Sequence, residues 1–147
     1  MHSSTVRQEE HVLNTEQNKA LIRNFLIELD KGLDAVDRFF SPDCLVHLPG
    51  TVSPSNREGL KAFIGMLYTA FPDLRHSIID QFAEHEKVAN LVSAHGTHRG
   101  AFQSIAPTGN AVVITDIIIV RIMDGRIVEL WAQFDVLGLF QQLGVFL

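Results

Sequence analysis

The stretch Ala111–Leu147, AVVITDIIIVRIMDGRIVELWAQFDVLGLFQQLGVFL, decides the fold. Two long apolar runs flank Asp124-Gly125, and a glycine-bounded apolar tail follows. Asp-Gly between β-branched runs predicts a two-residue hairpin, because a type I′ turn needs positive φ at both central positions. Val112–Ile122 is rich in Ile and Val, which fit a pleated surface, and Ile127–Phe134 reads as the strand folding back on it. This hairpin is expected to be the buried centre of a curved sheet. One carboxylate, Asp116, interrupts a first strand that is otherwise apolar up to Val120 apart from Thr115.

Upstream, the pattern changes from helical to extended. Residues 1–13 are polar and without periodicity, so they read as a loose tail to a single domain over residues 14–147. A first helix is expected from Asn14 or Thr15, with Leu21, Phe25 and Leu29 on one face and Ile22 and Leu26 widening the stripe. A short helix follows over Leu33–Phe40, then a short strand over Cys44–Leu48. Ser55 and Glu58 have capping-box spacing for a third helix, whose stripe is Leu60, Phe63, Ile64, Leu67 and Phe71 before Pro72 ends it. From Leu74 the period is two: His76, Ile78, Asp80 and Phe82 alternate with Ser77, Ile79 and Gln81. Glu84–Lys87 is a turn, Val88–Thr97 a further strand, and Leu137–Leu143 a closing helix that Asp135 caps. Helices gathered on one face of an antiparallel meander make an α+β domain. If the sheet curls around them, its concave face encloses a cavity suited to a small apolar molecule.

Composition narrows the classes. The chain has 147 residues, 46% hydrophobic and 20% charged, as expected for one globular domain with a real core. A net charge of −5 argues against a nucleic-acid surface. No uninterrupted apolar run reaches the ~18 residues of a membrane span. The N-terminus lacks the apolar segment of a signal peptide, so a cytoplasmic protein is expected. The single cysteine, Cys44, permits no intrachain disulfide and reads as a small buried hydrophobe. His95 and His98, three apart on a strand, face opposite ways and cannot pinch one ion; no metal or other cofactor is expected.

Several motifs, in order, carry a resemblance. They are Asn18–Phe25 (NKALIRNF), Phe39–Asp43 (FFSPD), Phe71–Leu74 (FPDL), Gly96–Phe102 (GTHRGAF), Pro107–Asn110 (PTGN), Asp124–Trp131 (DGRIVELW) and Leu137–Gly144 (LGLFQQLG). Together they resemble the SnoaL-like polyketide cyclase (ester cyclase) family of the nuclear transport factor two-like superfamily. The resemblance implies a cone-shaped α+β barrel, a curved antiparallel sheet wrapped around the N-terminal helices. It also implies cofactor-independent ring closure by intramolecular aldol chemistry, with a carboxylate as general acid/base. The position of that carboxylate in the family corresponds here to Ala132, and the preceding inward position, often His in relatives, is Leu130.

Asp116 is the alternative acid. It shares a strand face with Ile114, Ile118 and Val120, and burial there would raise its pKa toward neutrality, as suits a proton shuttle. The opposing reading places it at a sheet edge or in a local hydrogen bond. His98, in Gly-Thr-His-Arg-Gly, either assists Asp116 at a substrate carbonyl or is a core histidine bonded to backbone. The expected lining is Phe63, Leu67, Ile118, Leu130, Ala132 and Phe134, with His47 either at the mouth or on the surface. The leading expectation is an aldol-type cyclisation or isomerisation of a hydrophobic ligand. A non-catalytic binding module and an epoxide hydrolase-like enzyme of the same fold are the alternatives. Arg121, five residues from Asp116, faces away from it and disfavours the Asp-Arg-Asp set of such hydrolases. Ile117 and Ile119 on the outer sheet face suggest a homodimer.

Overall fold

The computed structural model describes residues 2–145, with side chains for residues 4, 5 and 14–145. The elements are α1 (His2–Leu29), α2 (Ala35–Phe39), β1 (Phe40–His47), α3 (Arg57–Ala70), β2 (Arg75–Glu84), β3 (Lys87–Thr97), β4 (Ala111–Met123), β5 (Arg126–Phe134) and α4 (Val136–Gln142). Helix α1 extends back to His2 rather than starting near Asn14. The expected tail over residues 1–13 falls mostly on side chains outside the described residues.

The five-stranded sheet has the order β1-β5-β4-β3-β2. Strands β2 to β5 form the expected antiparallel meander, while β1 adds parallel to β5, making the sheet mixed. Asp124 and Gly125 both take positive φ, 51° and 72°, as the hairpin turn requires. A register shift between Ile78 and Asp80 corrects the simple alternation of β2. Ile78 pairs with Val92 and Gln81 with Asn90, so the extra residue, Ile79, flips the phase of everything after it. His76 and Ile78 face the helices, whereas Asp80 and Phe82 face away.

Helix α3 begins at Asn56, not at a Ser55–Glu58 box. The Asn56 side chain accepts the Gly59 N–H at 3.0 Å, while Ser55 is held in a bridge with Val46. Asp135 caps α4 as expected, accepting the Gly138 N–H at 2.9 Å.

Two clusters form the core. In one, Ile22, Phe25, Leu26 and Leu29 of α1 pack against Val88, Val92, Val120, Ile127 and Leu130 of the sheet. In the other, Phe71, Leu74, Phe102, Ile114 and Leu139 close one end. That end is tied by the loop after β3. Asp73 accepts the Thr97 N–H and hydroxyl at 2.7 and 2.8 Å. The Ala70 carbonyl, last in α3, accepts the N–H groups of Arg99 and Gly100 at 3.0 and 3.1 Å. A Cβ at Gly100 would stand 2.1 Å from the Thr69 carbonyl oxygen, so only glycine allows the approach. No described helix is long and apolar enough to cross a membrane.

Candidate active site

Between the helices and the concave sheet face lies a cavity lined mainly by apolar side chains. Phe25, Leu26 and Leu29 of α1 form one wall, Leu60, Phe63, Ile64 and Leu67 of α3 another, and Ile118, Leu130 and Ala132 the floor. Two titratable side chains enter it, Asp116 and His76. Its volume is about 60 Å³, room for only a few waters at ~10–15 Å³ each. A drug-sized ligand occupies ~300 Å³ or more. Admitting one therefore means moving the half-buried Phe63, Ile64 and Leu67 outward. A wider groove, about 750 Å³, lies between Asn14, Asn18, His85, Glu86 and Asp124, but it is open and polar and gathers no comparable chemistry.

Alternation along β4 aims Asp116 inward, between the buried Ile114 and the cavity-lining Ile118. Its Oδ1 is buried with no hydrogen-bond partner among the described residues. Burial pushes its pKa up from 3.8 to about 6, only partly opposed by the charge of His76 and the Ile117 N–H. A carboxyl poised there gains and loses a proton readily near neutral pH.

His76 reaches the same cavity from β2. It is held from behind: Asp30, just past the end of α1, meets the His76 Nδ1 at 2.7 Å and accepts its backbone N–H at 3.0 Å. The Tyr68 hydroxyl of α3 donates to the same carboxylate at 2.7 Å. Burial raises the Asp30 pKa, but the bonds from His76 and Tyr68 outweigh it and hold the carboxyl below its ordinary value. The same burial and bond push the Tyr68 phenol up. Asp30 is thus a carboxylate that keeps a proton on Nδ1 of His76 and leaves Nε2 facing other partners. Across the sheet, the row Ile78–Val92–Asp116 lies one step from the row His76–Ala94–Ile114. His76 and Asp116 are therefore two strands apart, about 10 Å sideways at the backbone. Both side chains line the same cavity, and no hydrogen bond joins them among the described residues.

His98 does not join this pair. Six residues separate it from Val92, the partner of Asp116, which is about 20 Å along the strand. It is wholly buried, its ring packs against Phe71 at 5.5 Å, and its Nδ1 accepts the Thr108 N–H at 3.1 Å. It is a core histidine that pins the loop between β3 and β4. The neutral ring then carries its proton on Nε2, which has no partner among the described residues. His47 also lies away from the cavity. It stacks on Trp131 at 5.2 Å and bonds Glu129 at 2.8 Å, on the outer sheet face. Phe63, Leu67, Ile118, Leu130 and Ala132 line the cavity. Phe134 packs at the border, 6.2 Å from the Phe63 ring, within the second core cluster.

Asp30, Tyr68 and His76 escaped the sequence reading, yet each left a trace. Asp30 continues the buried i, i+4 row of Ile22 and Leu26 as a carboxylate, and Tyr68, the single tyrosine, continues the row of Leu60 and Ile64. His76 stands in phase with Ile78.

A SnoaL-like polyketide cyclase sequence profile matches residues 20–143. A comparison with curated proteins gave no match. Among solved structures, AclR from Streptomyces galilaeus, provisionally named a hydroxylase, superposes with a TM-score of 0.81 at 27% identity over 90% of this chain and 88% of its own. IdmH from Streptomyces antibioticus, provisionally named a polyketide cyclase, gives 0.80 at 30% identity over 88% of this chain and 99% of its own. A SnoaL-like protein from Jannaschia sp. shares the fold, at 0.79 and 20% identity over 88% of this chain and 92% of its own. With the profile spanning nearly all of the folded chain, the protein belongs to the SnoaL-like polyketide cyclase family.

Proposed function

We propose that this chain is a small-molecule enzyme that moves a proton on an apolar, carbonyl-bearing ligand, and that Asp116 is its base. The observation that carries the reading is an unpartnered carboxyl oxygen inside an apolar cavity, on a group with a pKa of about 6. Asp116 takes the place of the acid that relatives carry where this chain has Ala132. In the aldol form of the chemistry, the Asp116 carboxylate removes a proton from the carbon next to a carbonyl. The enolate carbon then bonds to a second carbonyl carbon, whose oxygen takes up a proton. The product is an isomer of the substrate, so no oxidant or reductant is involved.

Arg121 bonds Glu129 at 3.4 Å on the outer face, so it cannot complete an epoxide hydrolase-like Asp-Arg-Asp set with Asp116. A non-catalytic ligand carrier is the second reading, favoured by Leu130 and Ala132 in the cavity floor. The two separate on one assay, with heptane-2,6-dione as the probe for ring closure. The enzyme reading expects the wild type to accelerate closure to the cyclic hydroxyketone. It expects Asp116→Asn to lose that acceleration by about 100-fold or more, the usual worth of a positioned acid or base. No acceleration by the wild type, or equal acceleration by the variant, overturns it.

The partner we propose is a second copy of the chain, seated on the outer sheet face. Ile117 and Ile119 stand exposed there at 52% and 37%, beside Trp131. Lys87, Arg121 and Glu129 around them supply both signs of charge, which suits an isologous contact.

A further inference from the structure

We propose that His76 is the second proton-transferring group of this site, the donor to the oxygen that forms as Asp116 takes the carbon proton, with Asp30 and Tyr68 as its positioning residues. The proposal rests on the proposed function and goes beyond it, because it assigns the oxygen side of the reaction.

His76 is the one polar side chain besides Asp116 among the described residues lining the inner cavity. It also lines a surface groove formed by Arg23, Leu26 and Ile27 of α1 with Ile78 of β2. Its ring therefore stands in the wall between a closed apolar space and solvent, only 10% exposed. Asp30 behind it is 13% exposed and takes hydrogen bonds from two elements, β2 and α3. Such a carboxylate fixes both the tautomer and the tilt of the ring, as the third member of a nucleophile–base–orienter set does elsewhere. Nε2 makes no hydrogen bond among the described residues. His76 and Asp116 line the same cavity from β2 and β4, with Val92 and Ala94 of β3 between them in the sheet, so one bound molecule can touch both.

The protons balance without outside reagents. Asp116 as carboxylate accepts the carbon proton and becomes the acid. When both ring nitrogens of His76 carry protons, Nε2 gives its proton to the new alkoxide while Asp30 stays bonded to Nδ1. After product leaves, one proton returns from Asp116 to His76 through water in the vacated cavity, or exchanges by way of the groove. The charged and titratable groups around His76 are Arg23 from α1, Asp30 just after it, Tyr68 from α3, Arg75 next to it on its own strand and Asp116 from β4.

The test combines the pH profile of heptane-2,6-dione closure with nitrogen NMR of the His76 ring. The wild type is expected to give a bell, with an acid limb from Asp116 and an alkaline limb from loss of the proton donor. Histidine 76 to glutamine (His76→Gln) should cut kcat by about 100-fold, leave KM nearly unchanged and abolish the alkaline limb alone. Asp30→Asn should lower kcat by roughly 10-fold and move the neutral ring away from the Nδ1–H tautomer, a signature that loss of packing alone does not produce. Tyr68→Phe, the mildest change, should keep the tautomer and shift the alkaline limb. An Nε2–H tautomer in the wild type, or an alkaline limb that persists in His76→Gln, overturns the proposal. The two readings fail separately. Activity retained by Asp116→Asn defeats the proposed function whatever the tautomer, whereas an inactive Asp116→Asn with an unaltered His76→Gln profile defeats only the inference.

Discussion

A carboxylate walled by leucine, isoleucine and phenylalanine side chains gives up its hydration without recovering it, and Asp116 is in that position. The cost has a definite sign. Its folded pKa, about 6, lies above its ordinary 3.8, so the folded state binds the proton more tightly than the unfolded state. Burial of the ionised form thus weakens the fold above about pH 6, and the penalty fades as pH falls through the folded value and vanishes below about pH 4. At 1.36 kcal/mol per pKa unit the full penalty is on the order of 3 kcal/mol, an upper figure. Asp116→Asn, neutral at every pH, should therefore raise stability by about 1–3 kcal/mol at pH 8 and change little at pH 4. Urea melts of both proteins at the two pH values check this. Asp30 works in the opposite sense. Its carboxyl is held below its ordinary value, so its bonds stabilise the fold above the unfolded pKa and are lost as pH falls through the folded one.

At the scale of elements, the motifs that carry the family resemblance turn out to hold the frame. Gly96–Phe102 and Phe71–Leu74 lock onto each other through Asp73, Thr97 and the Ala70 carbonyl, which closes the end of α3 against the sheet. Gly100→Ala should cost about 1–3 kcal/mol by overpacking against Thr69, with a lower melting midpoint and no change in the pH dependence of turnover. Asn56→Ala should cost about 1 kcal/mol by removing the cap of α3, and Ser55→Ala much less. A larger loss for Ser55→Ala than for Asn56→Ala in thermal melts would return the cap to Ser55. The hairpin, the meander and the stripe of α1 were legible because their signals are local: a turn dipeptide and two periods. The start of α3 was misplaced by one residue because Ser55 and Asn56 are both good caps, and only the bridge to Val46 decides between them. The phase flip at Ile79 carries no local mark, since an extra isoleucine in a strand looks like any other.

Across the whole molecule, the legible part is the cone and the illegible part is what meets inside it. Asp116 stood out as a charge in an apolar strand. Its companion did not, because Asp30 and His76 are 46 residues apart in sequence and meet only when α1 lies across β2. His98, sitting in a recognisable motif, drew attention that belonged to His76. The sequence leaves His47 open between the cavity mouth and the surface, and the pairing decides for the surface: β1 runs parallel with β5, which sets His47 beside Trp131 on the outer face. That pairing joins the first strand to the last and leaves no trace in either. The outer face carries its own expectation. If two copies pack there, Ile117→Glu should shift the sedimentation coefficient from dimer to monomer, and a monomeric wild type would remove the dimer.

The most direct measurement is the titration of the Asp116 side-chain carboxyl by carbon NMR in the ligand-free protein. A midpoint near 6 is expected, moving upward when His76→Gln removes the neighbouring charge. A midpoint at the ordinary 3.8 would mean a hydrated carboxylate and would contradict the desolvated base on which this account rests.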